Sequence, residues 1–323
     1  MTLLDTAGCS HRGTRQHNED SLLLQDDIGL YVVADGVGGA QAGEVASGIT
    51  CASLERQLRC GASLEQALEQ AHRDILVAAG ADGGRPGMAS TAVAAVLRGT
   101  QLQLAWVGDS RAYLWDDALQ LLTKDHSLVQ NLVDTGQLAF EDMERHPQKH
   151  LITQALGSRQ HTPRIDSKRG QLHPSSVLLL CSDGVSGVIP EPELIDILSG
   201  NDSATILART LVDTALAAGS DDNASCIVIR LPGGQADVPC PPTDQALAFM
   251  RYGRDRRWRL EPSMAGEETQ INPAMPTAST APRNTARRLL IASLGLGLLL
   301  ALLQVSDVVP AWSSLLQRYW NGQ

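Results

Sequence analysis

The chain has 323 residues, room for one large domain or two ordinary ones, with 43% hydrophobic residues and a formal net charge of −10. The acid excess is uneven: up to Leu231 there are 29 Asp/Glu against 17 Lys/Arg, and beyond it 7 against 9, so the larger part lacks the basic footprint of a nucleic-acid binder. Cys9, Cys51, Cys60, Cys181, Cys226 and Cys240 show neither metal-ligand spacing nor the density of a disulfide scaffold, and MTLLDTAGCSHRG has no charged segment leading into an apolar core, so no cleavable leader is expected.

In chain order, the acidic run Asn18-Glu19-Asp20 precedes a short β-like stretch, 21–25. A second apolar run, 30–34, closes on Asp35-Gly36. Apolar residues at three- and four-residue steps predict helices over 42–59 and 64–79, and strands are expected at 92–97, 102–107 and 112–115. The stretch 128–156 is short-helical and charged; it reads as a small flap-like insert over the edge of a site or as a surface excursion. Another apolar run, 177–181, ends in Ser182-Asp183-Gly184, followed by helical patterns at 190–198 and 203–218. Asp221-Asp222-Asn223 then introduces a last strand, 226–231. Strand pairs followed by helix pairs, without strict alternation, predict an α+β sandwich with helices packed outside over residues 1–232.

From 233 to 288 the composition turns to Pro, Gly, Ala, Ser and Thr, and a flexible linker is expected. An Arg-rich patch inside it, RYGRDRRWRL, reads as a solvated charge run or as a contact for anionic lipid or a partner. Residues 289–305 carry no charge. Extended to 312, they reach the ~20 residues that cross a ~30 Å hydrocarbon core. Arg283, Arg287 and Arg288 before this run and Trp312, Tyr319 and Trp320 after it suit the two interfaces. The expectation is one C-terminal transmembrane helix in the inner (cytoplasmic) membrane, the large domain in the cytoplasm, and a short tail at 306–323.

A carboxylate straight after a buried strand is costly unless something cationic meets it, and the following glycine lets the backbone turn tightly. Hard oxygen donors gathered from distant parts of a chain are how proteins hold Mg²⁺ or Mn²⁺, so Asp35 and Asp183 point to a metal-dependent hydrolase. A lone Asp-Gly is usually a turn, and Asp125 and His126 read as a helix cap and a surface imidazole.

The ordered set RQHNED (15–20), VADGVGG (33–39), MASTA (88–92), VGDSR (107–111), DHS (125–127), TQALG (153–157), CSDG (181–184) and DDNAS (221–225) resembles the metal-dependent Ser/Thr protein phosphatases of the 2C type, in a bacterial-like form. That resemblance implies a central antiparallel β-sandwich flanked by helix pairs, in α-β-β-α layers, with a centre of two or three Mn²⁺ or Mg²⁺ ions. It implies that Asp35 bridges two ions, that the Gly36 carbonyl completes one coordination shell, and that Asp183 and Asp222 ligate the other ion. Glu19 and Asp20 would hold waters, Asp20 alternatively as a direct ligand. Asp109 with Asp183 would serve a third ion, and Arg15 would grip the substrate phosphate. The implied function is hydrolysis of phosphoserine and phosphothreonine by an activated water, acting on phosphorylated proteins and opposing a Ser/Thr kinase. The alternatives are a catalytically silent phosphoprotein-binding module of the same fold and a phosphatase of small metabolites. Two departures stand out: Val37 stands where some members carry a histidine able to protonate the leaving alkoxide, and Ala40 where many bacterial members carry another histidine.

Overall fold

Two stacked sheets, each covered on its outer face by a helix pair, explain why so many strands are apolar on both sides. The computed structural model describes residues 4–38, 42–81, 84, 86–233 and 247–260, all inside one compact unit that runs to Ala265. One sheet is built from β2 (Asp20–Gln25), β3 (Leu30–Val37), β5 (Ala92–Arg98), β6 (Gln101–Val107) and β9 (Asp166–Gln171), with the short β4 (Ala89–Ser90) attached to β3. The other runs β1 (Asp5–His11), β11 (Ala224–Arg230), β10 (Val177–Cys181), β7 (Arg111–Asp116), β8 (Ala118–Leu121), β12 (Met250–Tyr252) and β13 (Trp258–Leu260) in spatial order. The pairings are antiparallel.

Alternation along β3 shows how the layers form. Leu30, Val32 and Ala34 face the helices α1 (Ala42–Arg59) and α2 (Leu64–Gly80), while Tyr31 and Val33 face the other sheet. Between the sheets Val93 and Trp106 share a core with Leu114, Leu180, Ile227 and Ile229. The far face of the second sheet buries Leu179, Cys181, Cys226 and Val228 under α5 (Glu191–Leu198) and α6 (Ala204–Ala217). Each fully buried aliphatic side chain contributes about 1.5–3 kcal/mol, so a strand buried on both faces anchors two layers at once. The expected α+β sandwich flanked by helix pairs is the observed architecture.

Two further short helical segments shape one end of the sandwich. The first, α4 (Asp183–Ser186), follows β10 directly. The other belongs to the insert, in which α3 (Leu128–Asp134) is followed by a 3₁₀ turn, Phe140–Arg145.

Beyond the short β4 and β8, which no sequence pattern marked, two differences from the sequence expectations stand out. The polar strands β1 and β9 were not expected; both lie at sheet edges, where one side of the strand meets solvent and the apolar pattern is lost. The folded unit does not stop at 232. Residues 250–260 of the expected linker form the β12–β13 hairpin on the edge of β8, where Trp258 is 8% exposed. The Arg-rich patch is therefore largely a hairpin, with Trp258 buried and Arg254, Arg256, Arg257 and Arg259 exposed. Among the described residues no helix is long and apolar enough to cross a membrane; the expected span at 289–305 and the tail at 306–323 lie outside them.

Candidate metal centre

The expected acids converge from four strand ends and one turn. Asp20 opens β2 and sits directly across from Asp35 near the end of β3. Asp183 begins α4 straight after β10, and Asp222 precedes β11, the neighbour of β10. Asp109 lies in the turn between β6 and β7. Antiparallel pairing thus brings residues separated by up to two hundred positions to one end of the sandwich.

Their electrostatics show how close they are. Burial pushes the Asp20 carboxyl up to about 7, with Asp183 and Asp222 adding to the rise and hydrogen bonds from Ser225 and Ser182 opposing it. Asp35 is driven well above the usual carboxylate range, first by desolvation and then by repulsion from Asp20, Asp183, Asp109 and Asp222. Asp109 is raised by burial and by Asp183 and Asp125, and Asp222 by burial and then Asp183. Five like-charged groups in partial burial destabilise a fold that offers them no cation.

Two buried carboxylate oxygens, Oδ1 of Asp20 and Oδ1 of Asp183, have no hydrogen-bond partner. Each such orphan costs about 1–3 kcal/mol or more. A hard divalent cation would satisfy both, and an oxygen-only donor set suits Mg²⁺ or Mn²⁺ rather than a softer metal. Among the described residues no three His, Cys, Asp or Glu side chains are drawn together as a closed ligand set. These residues fit the implied ions.

The backbone around the acids is fixed by small residues. A Cβ on Gly36 would fall 2.1 Å from the Gly43 carbonyl oxygen, and one on Gly43 would fall 2.5 Å from the Gly36 oxygen and 2.8 Å from the Glu19 carboxyl carbon. Neither clash is tolerable, so only glycine at both positions lets β3, the start of α1 and Glu19 meet. The Gly36 N–H donates to the Glu19 carbonyl at 3.1 Å, and Ser47 donates to the same oxygen at 2.6 Å. The Asp35 N–H donates to Thr91 Oγ1 at 3.1 Å, while the Thr91 N–H donates to the Asp35 carbonyl at 2.8 Å.

Arg15 reaches the centre from the loop after β1. Its guanidinium donates to Asp222 Oδ2 at 2.8 Å and to the Asp221 carbonyl at 3.0 Å, with its side chain 55% exposed. Asn223 holds that loop in place: its amide donates to the carbonyls of Arg12 and His17, and its Oδ1 accepts from the Glu19 N–H at 2.7 Å. Ser182 Oγ donates to Asp20 Oδ2 at 2.9 Å. Asn223, Ser182 and Thr91 were visible in the sequence only as members of motifs; nothing local revealed which backbone groups they would hold. His150, whose Nδ1 lies 3.4 Å from Asp183 Oδ2, left no sequence signal beyond its place in the charged insert.

Asp125 and His126 are not the helix cap and surface imidazole expected. Ser127 caps α3 by accepting from the Gln130 N–H at 3.2 Å. Asp125 is buried against Arg111, with contacts of 3.1 and 2.7 Å from its guanidinium. The His126 ring is buried beside Trp106 at 6.5 Å, its Nδ1 accepts from the Gly108 N–H at 3.2 Å, and its Nε2 faces Asp166. It is buried, with Nδ1 occupied by the Gly108 N–H, and is not a surface imidazole. Cys181 is fully buried, and burial pushes its thiol up to about 12, so it is a packing residue without a reactive thiolate.

Comparison with known proteins places this geometry. The profile of the family described as protein phosphatase 2C matches residues 7–218. The serine/threonine phosphatase stp of Listeria innocua is 32% identical over 230 residues, covering 67% of this chain and 91% of that one. The crystal structure of the Mycobacterium tuberculosis serine/threonine phosphatase PstP superposes with a TM-score of 0.64 at 32% identity, covering 71% of this chain and 99% of that one. A PstP catalytic domain in complex with two manganese ions superposes with a TM-score of 0.62 at 31% identity, covering 71% and 98%.

Proposed function

The chain belongs to the protein phosphatase 2C family and is a protein Ser/Thr phosphatase; from that premise we propose that it works through a pair of Mn²⁺ or Mg²⁺ ions held by Asp35, Gly36, Asp183, Asp222 and, directly or through water, Asp20. The observation that carries this reading is the convergence of five acids, two of them with buried unpartnered oxygens. The manganese-bound PstP structure supports it. Bound there, the cations supply Lewis-acid polarisation of the phosphoryl group and of the attacking water.

The protein's own groups do the rest. Arg15 presents a planar fork matched to a phosphate, which a lysine could not copy, and exchanges its Asp222 contact for the substrate. Glu19 and Asp20 accept hydrogen bonds from water and fix its orientation. Asp109 with Asp183 forms a second acidic pair beside the insert, suited to a third cation. No side chain directly after Asp35-Gly36 could protonate the leaving alkoxide, since Val37 stands there. A catalytically silent binding module has no need of a full acidic set, and nothing in the geometry favours that alternative.

We also propose that residues 289–305 anchor the protein in the cytoplasmic membrane and that it opposes a Ser/Thr kinase there. The uncharged run and its Arg and Trp/Tyr flanks support the anchor. The test of the catalytic reading is Mn²⁺-dependent phosphate release from a phosphothreonine peptide by the full-length protein. Asp35→Ala is expected to lower kcat/KM by about a hundred- to a thousandfold, the scale of removing a principal electrostatic group. Turnover unaffected by chelator and by Asp35→Ala would end the proposal.

A further inference from the structure

We infer that the β12–β13 hairpin is a clamp that positions the 128–156 insert beside the acidic centre for protein substrates, with Trp258 as its positioning residue. The inference rests on the phosphatase reading, and goes beyond it to a segment that lies past residue 218, where the family match ends.

The insert forms one wall of the centre. Met143, Glu144, Lys149 and His150 line a small cavity with Asp109 and Asp183. Met143 is buried and His150 meets Asp183, but residues 135–149 make few backbone fixings to the rest of the fold. The backbone hydrogen bonds of residues 135–149 stay within the insert, as in Gln137 to Leu132, Asp142 to Ala139 and His146 to Met143. The 3₁₀ turn Phe140–Arg145 is instead gripped at its two ends by side chains from outside. Near its C-terminal end Glu144 meets the Arg111 guanidinium at 3.0 Å. At its N-terminal end the Phe140 ring stands edge-on to Trp258, with centroids 5.9 Å apart.

Trp258 is well placed for this. Its ring also contacts Tyr252 at 5.3 Å and Tyr113 at 6.5 Å, and its Nε1 donates to Glu191 at 2.9 Å. Tyr113 Oη accepts from Arg111 at 3.2 Å, and Arg111 holds both Asp125 and Glu144. One aromatic residue therefore supports the insert twice, directly through Phe140 and indirectly through Tyr113 and Arg111. The hairpin is itself fixed to the sandwich by pairing with β8, by Leu247 in the core between the sheets, and by the Leu247 carbonyl accepting from Lys168 at 2.9 Å.

On this inference the wall has more to contact in the polypeptide flanking a phosphorylated residue than in a small aryl phosphate. The experiment compares full-length wild type, Trp258→Ala, Trp258→Phe and Phe140→Ala. Each is assayed with Mn²⁺ on a phosphothreonine peptide and on para-nitrophenyl phosphate, and each is followed by amide hydrogen exchange across residues 139–146. For Trp258→Ala and Phe140→Ala, exchange in that segment is expected to quicken and KM for the peptide to rise about fivefold at unchanged kcat, the size expected for one lost aromatic contact. The aryl phosphate constants should move less than about twofold, and Trp258→Phe should restore most of the loss. Unaltered exchange over 139–146, or equal losses on both substrates, overturns the clamp. A wild type that hydrolyses neither substrate overturns the phosphatase reading instead, and the exchange arm still decides whether the hairpin holds the insert.

Discussion

At Asp20, burial and the repulsion of neighbouring acids act in the same direction, and that has a measurable sign. Its carboxyl is raised to about 7 in the fold from an ordinary 3.8, with Asp35 raised as well. Between those values the metal-free folded state binds more protons than the unfolded chain, so stability falls as pH rises. Urea unfolding of chelator-treated protein is expected to give a midpoint that drops steadily from pH 4 to pH 7. Added Mn²⁺ should reverse the slope, because cations bind the ionised acids of the native state and stabilise it by mass action. A midpoint that climbs with pH without metal would contradict the acidic cluster. Asp35 and Asp183 were legible in the sequence because an apolar run ending in Asp-Gly is hard to explain as an ordinary turn. Asp125 was not: it lies in the loop after β8, its partner Arg111 opens β7, and no local pattern announces a buried ion pair.

At the scale of elements, the strongest local signals were the helices. The start of α2 carries a capping box: Ser63 accepts from the Gln66 N–H while the Gln66 side chain accepts from the Ser63 N–H. Ser63→Ala should destabilise the domain by about 1 kcal/mol, read as a lower urea midpoint at unchanged slope; a shift within error would mean the cap is redundant with helix packing. The central strands were readable from their apolar runs, whereas β1 and β9 were hidden by polar edge composition. The hairpin was hidden differently. With five arginines in ten residues, RYGRDRRWRL looks like a solvated segment, and only the sheet edge at β8 gives Trp258 a place to be buried.

For the molecule as a whole, the folded part is acidic and the C-terminal part basic, and the uncharged run at 289–305 follows three arginines. If that run is an anchor, the full-length protein will remain in the pellet after carbonate washing of membranes, while a chain ending at Arg288 will be released. Recovery of both in the supernatant refutes the anchor.

The pairing of β1 with β11, which sets Asp5 opposite Arg230, also bears on the order in which the centre can form. A ribosome delivers the N-terminal strand first, yet its sheet partner emerges only after more than two hundred further residues. Such long-range closure is slow and leaves edges exposed while it waits. Asp222 and Asn223 arrive with that same late strand, and Asn223 is what holds the loop carrying Arg15 and Glu19. A nascent chain that stops at Ala217 holds four of the five acids but neither the fifth nor the tether for the loop. The acidic set is therefore incomplete until the start of β11 has been made, and the hairpin that braces the insert follows later still.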